Sequence, residues 1–319
     1  MRIVEGIAEL PAAGQRVVAL GTFDGVHLGH RALIEAARIR AAQVGARSSV
    51  VTFDPMPMEV LRPDAAPARL AGISRRAALI GELAPDELVI VRFDRELASL
   101  SPEQFADQVL AGVLRAMHVV VGEDYRFGHR AAGDTARLVE LGREHGFTVT
   151  GVPLVRIDGE RVSSSWIREL IAQGEVAHAA RLLGRDPWLE GVVVRGEGRG
   201  KALGVPTANL AWPPQRVIPA RGVYAGSVVF GPAASRQPAA ISVGGNPTFG
   251  EGRPTTVEAH LIDWDGDLYD QIMRIEFREF LRHELRFEGI PDLIAQMRQD
   301  IDQARTIVTG APPPPASRY

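Results

Sequence analysis

The 319-residue chain contains no cysteine, which excludes disulfide staples and thiolate chemistry. It has no apolar run approaching the roughly 18 residues a membrane helix needs. Its first residues, Met1-Arg2-Ile3-Val4-Glu5, lack the charged-then-apolar order of a secretory leader. Together these absences read as a cytoplasmic protein with no membrane partner. Charge of one sign is scarce too: 36 Lys+Arg against 39 Asp+Glu leave a net charge of −3. With no overall basic field, nucleic acid is disfavoured as the main partner, and any anionic substrate must be held by local groups. Hydrophobic content of 45% and charged content of 24% are those of an ordinary folded protein.

What is present is length enough for two domains, each with its own core. In the first half, short apolar runs alternate with helical periodicity. Val17 to Leu20, Ser48 to Phe53, Leu88 to Val91, His118 to Gly122 and Phe147 to Thr150 read as strands. Ser101-Pro102-Glu103-Gln104 is a capping box that opens a helix predicted to run to about Met117, and Thr135 to Glu144 reads as another helix. This alternation implies an α/β domain with a mostly parallel sheet, whose ligands sit beyond the carboxyl ends of the strands. Gly21 to His30, Phe53 to Pro57 and Gly122 to Gly128 fall there.

The first of these loops, Gly21-Thr22-Phe23-Asp24-Gly25-Val26-His27-Leu28-Gly29-His30, joins a buried strand to a helix. The first-turn N–H groups of such a helix form an anion site, and His27 and His30, three residues apart, share one face beside it. Zinc is not indicated, because there is no H-E-x-x-H and no cysteine to complete a tetrahedron. Phosphate chemistry fits better. Further on, Ser163-Ser164-Ser165-Trp166-Ile167-Arg168 sets serine hydroxyls at a helix start with an arginine on the same turn, a compact phosphate clamp or else simple N-capping. Gly122 to Gly128 carries Asp124 and Phe127 on a loop, with Phe127 read as an exposed ring for stacking or as a packing anchor.

Composition changes at Leu183-Gly184-Arg185-Asp186-Pro187. The expected domains are therefore 1–184 and 185–310, with a disordered proline-rich tail at 311–319. The second half shows short β-like runs split by Gly and Pro, the pattern of an antiparallel barrel or sandwich, and one closing helix started by Pro291 with Leu293, Met297 and Ile301 on one face. Gly196-Glu197-Gly198-Arg199-Gly200-Lys201-Ala202-Leu203-Gly204-Val205-Pro206-Thr207-Ala208-Asn209 is glycine-rich but meets neither the P-loop nor the dinucleotide fingerprint spacing. On the run Thr256 to Leu261, alternation places Glu258 and His260 on one face, opposite Val257, Ala259 and Leu261.

These motifs, in this order, resemble those of the bacterial bifunctional riboflavin kinase/FAD synthetases, whose likeness covers the chain from about Gly21 to Arg305. The resemblance implies a Rossmann-like FMN adenylyltransferase domain followed by a β-barrel riboflavin kinase domain, with riboflavin, FMN, FAD and ATP as substrates or products. In the adenylyltransferase it implies His27 and His30 as catalytic donors. Gly21, Phe23, Asp24, Gly25, Gly29, Ser163, Ser164, Ser165 and Arg168 would hold nucleotide and phosphate, and Phe53, Asp54, Asp124 and Phe127 would face the flavin. In the kinase it implies Glu258 as the base. Gly196, Gly200, Lys201, Gly204, Pro206, Thr207 and Asn209 would bind nucleotide, Thr207 and Asn209 would hold Mg2+, and Asn246 and Arg286 would lie on the flavin side. Two departures stand out: Met56 where the family usually has histidine, and Ser165-Trp166 where threonine and a small or polar residue are usual. They leave open an enzyme with one active module. A flavin-binding store without turnover would be expected to have lost Glu258, Thr207 or Asn209, and all three are present. Partners are small molecules, with self-association between modules the one further possibility.

Overall fold

A computed structural model describes residues 1–7, 10, 14–196, 198, 200, 203–244 and 255–310. The chain separates into two compact units, Met1–Ser164 and Ser165–Tyr319. The first contains strands β1 (Arg2–Glu5), β2 (Arg16–Leu20), β3 (Arg47–Phe53), β4 (Glu87–Val91) and β5 (Ala116–Gly122). Two-residue strands β6 (Arg126–Phe127) and β7 (Gly133–Asp134) follow, then β8 (Thr148–Val152) and the small hairpin of β9 (Arg156–Ile157) and β10 (Glu160–Arg161).

Six of these strands form one parallel sheet in the order β1-β4-β3-β2-β5-β8. Every residue of β2 is buried, as expected of a central parallel strand covered on both faces. Val18 and Leu20 join a core layer with Val51, Val89, Val121 and Leu110. Helix Leu28–Val44 lies against β2 and β3 and buries Ile34, Ala37 and Ala41. From β2 the chain moves outward through β3 to β4 and then returns to the other side of β2 as β5. The strand order reverses between β2 and β5, which is where open α/β sheets bind ligands. The loop from Gly21 to His30 leaves β2 at this point.

The structure corrects one expectation here and adds a strand. The capping box at Ser101 is present: its Oγ accepts from the Gln104 N–H at 3.2 Å and its N–H donates to Gln104 Oε1 at 2.9 Å. The helix it opens, however, continues as π-type turns only to Val113 and does not reach Met117. The chain turns at Arg115, whose φ is 48°, and strand pairing takes over at Ala116, opposite Arg16. The edge strand β1 was not legible, because four residues of which only Val4 is buried are too few to establish a period.

The second unit opens with helices Ser164–Gln173 and Val176–Leu183 and continues as β11 (Trp188–Val194), β12 (Ala208–Ala211), β13 (Gly222–Phe230), β14 (Ser235–Gly244), β15 (Thr256–Leu261) and β16 (Ile272–Arg282). These strands form a closed antiparallel barrel in the order β11-β12-β15-β14-β13-β16, which decides between barrel and sandwich. Along β15, Val257, Ala259 and Leu261 are buried while Glu258 and His260 lie on the opposite face, as the alternation predicts. Helix Ile290–Thr309 packs on β13 and β14 with Leu293, Met297 and Ile301 half-buried and Ala304 fully buried. Asp300 fixes it to the end of β16 by accepting two hydrogen bonds from Arg282, at 2.9 and 2.7 Å. Val176, from the helix preceding the barrel, is part of the barrel core.

Candidate active sites

In the first unit the loop after β2 is built to deliver His27. Phe23 and Val26 both sit in the left-handed region, at φ 50° and 41°, and Gly25 at φ 80°. Such conformations are unfavourable for bulky and β-branched residues and mark a backbone held by its surroundings. Asp24 does much of the holding. It is buried, and its two carboxylate oxygens accept from the N–H groups of Ala71 at 2.9 Å and Leu70 at 3.0 Å. Asp24 and Phe23, expected among the nucleotide contacts, are thus turned inward. Asp24 pins the loop, and the fully buried Phe23 ring meets His30 edge-on with centroids 5.2 Å apart.

His27 is the N-cap of helix Leu28–Val44, and its Nδ1 accepts from the His30 N–H at 3.2 Å. An imidazole nitrogen that accepts from an amide carries no proton, so in the neutral ring the proton sits on Nε2, which faces away as a donor. The two imidazoles stack with centroids 3.6 Å apart and planes at 15°. Gly29 leaves room for this arrangement, since a Cβ there would lie 3.1 Å from His27 Cε1 and 3.2 Å from Nδ1. Ser164, the first residue of its helix, donates through Oγ to the Asp24 carbonyl at 2.9 Å and so joins the serine motif to the histidine loop. Arg168 lies four residues along that helix, on the same face as Ser164; Ser165 is exposed.

Phe127, read from the sequence as either a stacking ring or a packing anchor, is buried in the core between Tyr125 and Phe105, with Tyr125 nearly parallel to it. It is a packing anchor. Phe53 is likewise a core residue, edge-on to Phe93. Asp124 remains half-exposed and paired with Arg161 of the β9–β10 hairpin.

A cluster of charges beside these loops was not legible in the sequence. Fully buried Arg76 donates to the Thr22 carbonyl at 2.7 Å and the Phe53 carbonyl at 3.1 Å, tying the loop after β2 to the loop after β3. It also reaches Asp54 at 3.3 Å, which Arg69 contacts at 2.9 Å. Arg69 in turn grips Glu59, holding its carboxyl below the usual glutamate range, while burial pulls the Arg76 guanidinium down from its ordinary value. A signal existed: Arg76 stands four residues before Ile80 on the buried stripe of helix Ile73–Gly81, a position where an arginine has to be explained. Met56, the departure noted above, is itself buried, and its N–H donates to Glu59 Oε2 at 2.8 Å. Any residue except proline can supply that backbone bond.

In the second unit the barrel brings the glycine-rich loop and the acidic strand together. Thr207 Oγ1 donates to Glu258 Oε2 at 2.9 Å, and Asn209 lies directly opposite Glu258 across the β12–β15 pairing. Two described glycines of the loop, Gly196 and Gly200, approach these residues closely. A Cβ on Gly196 would come within 2.4 Å of Asn209 Nδ2, and one on Gly200 within 2.4 Å of the Val205 carbonyl and 3.2 Å of Thr207 Oγ1. Gly204, at φ 78°, completes the turn in which Val205 N–H bonds to the Gly200 carbonyl at 2.8 Å. His260 Nδ1 lies 2.8 Å from the Pro206 carbonyl. A hydroxyl, an amide oxygen and a carboxylate side by side form a hard-oxygen set of the kind magnesium takes. Arg286 is exposed beyond β16; Lys201 and Asn246 lie outside the described residues.

Comparison with known proteins agrees with both halves. Residues 10–166 match the family described as FAD synthetase, and residues 183–308 match riboflavin kinase. The bifunctional riboflavin kinase/FMN adenylyltransferase of Pseudomonas fluorescens is 38% identical over 308 residues, covering 96% of this chain and 98% of the relative. The Escherichia coli K12 protein of the same description is 36% identical, covering 96% and 97%. A crystal structure titled as a macrolide-efflux protein from Streptococcus pneumoniae superposes with a TM-score of 0.85 at 28% identity, over 96% of this chain and 99% of that one. With both halves matched in order and nearly the full length of these relatives covered, the chain belongs to the bifunctional riboflavin kinase/FMN adenylyltransferase family.

Proposed function

We propose that the barrel unit transfers the γ-phosphoryl group of ATP to the 5′-hydroxyl of riboflavin, giving FMN and ADP. The parallel-sheet unit then joins FMN to the AMP portion of a second ATP, giving FAD and pyrophosphate. The observation that carries this reading is the Thr207–Glu258 bond at the mouth of a glycine cradle, in a chain that also holds the stacked pair His27 and His30 at a helix start. In the kinase step Glu258 takes the proton of the ribityl hydroxyl as the phosphoryl group arrives. Thr207 donates to Oε2 and so orients the carboxylate. Thr207 and Asn209 would hold magnesium, whose charge, when bound, offsets that of the phosphates. Lys201 and the loop glycines Gly196, Gly200 and Gly204, with Pro206, complete the nucleotide site, and Asn246 and Arg286 face the flavin.

In the adenylyl transfer an FMN phosphate oxygen attacks the α-phosphorus directly and pyrophosphate leaves. His27 donates through Nε2–H, and His30, Ser163, Ser164, Ser165 and Arg168 surround the phosphates. Gly21 and Gly25 let the backbone approach them, and Asp54 and Asp124 border the flavin. Positioning and charge stabilisation account for catalysis, with no covalent enzyme intermediate. We place the functional boundary near 184 and the protein in the cytoplasm. No helix among the described residues is long and apolar enough to cross a membrane.

The test is incubation with riboflavin and MgATP, followed by separation of the flavins. FMN and FAD together are expected. FMN alone would restrict the reading to the kinase, and unchanged riboflavin would overturn it. Gly29→Ala is expected to lower FAD formation from supplied FMN on the order of tenfold, part of the hundredfold that a misplacement of about 1 Å can cost. Riboflavin phosphorylation should stay at the wild-type rate; a loss of both would assign Gly29 to folding.

A further inference from the structure

We infer that His260 is a positioning residue of the kinase site, setting the Pro206–Thr207 peptide through a hydrogen bond from its Nδ1–H. The inference rests on the kinase reading above and adds to it a residue that touches neither substrate nor metal. His260 Nδ1 lies 2.8 Å from the Pro206 carbonyl oxygen. That oxygen offers only lone pairs, so Nδ1 carries the proton whatever the charge of the ring. Pro206 has its φ fixed by its own ring, which leaves ψ as the soft angle that orients the next peptide plane and hence Thr207. Anchoring the carbonyl removes that freedom.

The second anchor comes from the same face of the same strand. Glu258, two residues before His260 on β15, accepts from Thr207 Oγ1 at 2.9 Å. Two neighbouring side chains of β15 therefore hold consecutive residues of the other segment, one through its backbone and one through its hydroxyl. Strand pairing does not reach this point: the β12–β15 register begins with Ala208 opposite Ala259, just past Thr207. Without His260 the Pro206–Thr207 peptide can rotate, and Thr207 then loses its alignment both with Glu258 and with the nucleotide side of the loop.

The test compares His260→Ala, His260→Asn and His260→Gln with wild type in steady-state conversion of riboflavin to FMN, varying MgATP and riboflavin separately. His260→Ala is expected to lower kcat/KM for MgATP by roughly three- to tenfold, the usual worth of one neutral hydrogen bond, with KM for riboflavin nearly unchanged. Asparagine places an amide N–H where Nδ1 stands and should restore the value to within about twofold, whereas glutamine, which mimics Nε2, should not. Formation of FAD from supplied FMN, a property of the other unit, should be unchanged in all three.

If wild type makes no FMN, the kinase reading itself fails. If wild type is active and His260→Ala matches it, or if the loss falls on KM for riboflavin, the inference is overturned. Glutamine restoring activity as well as asparagine would also overturn it. Should the alanine variant misfold, the contrast between asparagine and glutamine decides the matter alone.

Discussion

Glu258→Gln is expected to slow the conversion of riboflavin to FMN by roughly 10² to 10⁴-fold, the usual contribution of a positioned general base. The ribityl hydroxyl is a poor nucleophile at neutral pH and must shed its proton as the phosphoryl group arrives. Glutamine keeps the shape of glutamate, and its amide oxygen can still accept from Thr207 Oγ1, so the 2.9 Å contact that orders the loop survives. What is lost is the capacity to take a proton. The deficit should therefore appear in kcat, with little change in KM for riboflavin or MgATP, and conversion of supplied FMN to FAD should be spared. Two other acids of this unit are already engaged by arginines. Glu276 is gripped by Arg236 and Arg274, and Asp263 by Arg305. FMN formation surviving within a few fold would show that Glu258 is not the base and would make Glu276 and Asp263 the next residues to test.

The second large effect is expected at His27. Replacing it with alanine confounds two roles, the observed capping of the helix by Nδ1 and the proposed donation from Nε2–H, and loss of a cap alone costs about 1 kcal/mol. His27→Asn separates them. Asparagine is a preferred N-cap whose side-chain oxygen can accept from the His30 N–H, but it places no donor where Nε2 stands. FAD formation from FMN should fall on the order of a hundredfold or more, as when one preorganised donor is removed. The melting temperature and riboflavin phosphorylation should stay near wild type. Activity retained in His27→Asn would assign His27 to capping and shift the catalytic role to His30 or Arg168. His30→Ala is expected to produce a similar loss.

The barrel carries a consequence for separating the two activities. A fragment beginning near Arg185 lacks Val176, which fills the barrel core from the preceding helix. A fragment begun at Ser165 keeps it and should melt higher; equal melting temperatures would show that Val176 adds nothing to the barrel.

The sequence by itself determined what depends on local order. Alternating apolar runs and helical stripes established a parallel α/β unit followed by a β unit, because burial imposes the periods 2.0 and 3.6 directly on the chain. Adjacency also made the H-x-G-H pair legible, since residues three apart at a helix start must share a face, and it made Glu258 and His260 legible as one face of β15. Tertiary structure alone decided the rest. Barrel over sandwich depends on the pairing of β11 with β16, which lie far apart in the chain. Asp24 and Phe23 sit in a motif that reads as a ligand loop, yet both turn inward because the segment at Leu70 and Ala71 presents two amides and the core takes the ring. Phe127 is buried because β6 folds it back on Phe105. Arg76 and the Thr207–Glu258 bond join residues 54 and 51 positions apart. No local pattern encodes such contacts: a buried charge or an oriented hydroxyl is defined by its partner, and the partner arrives only when the chain has folded.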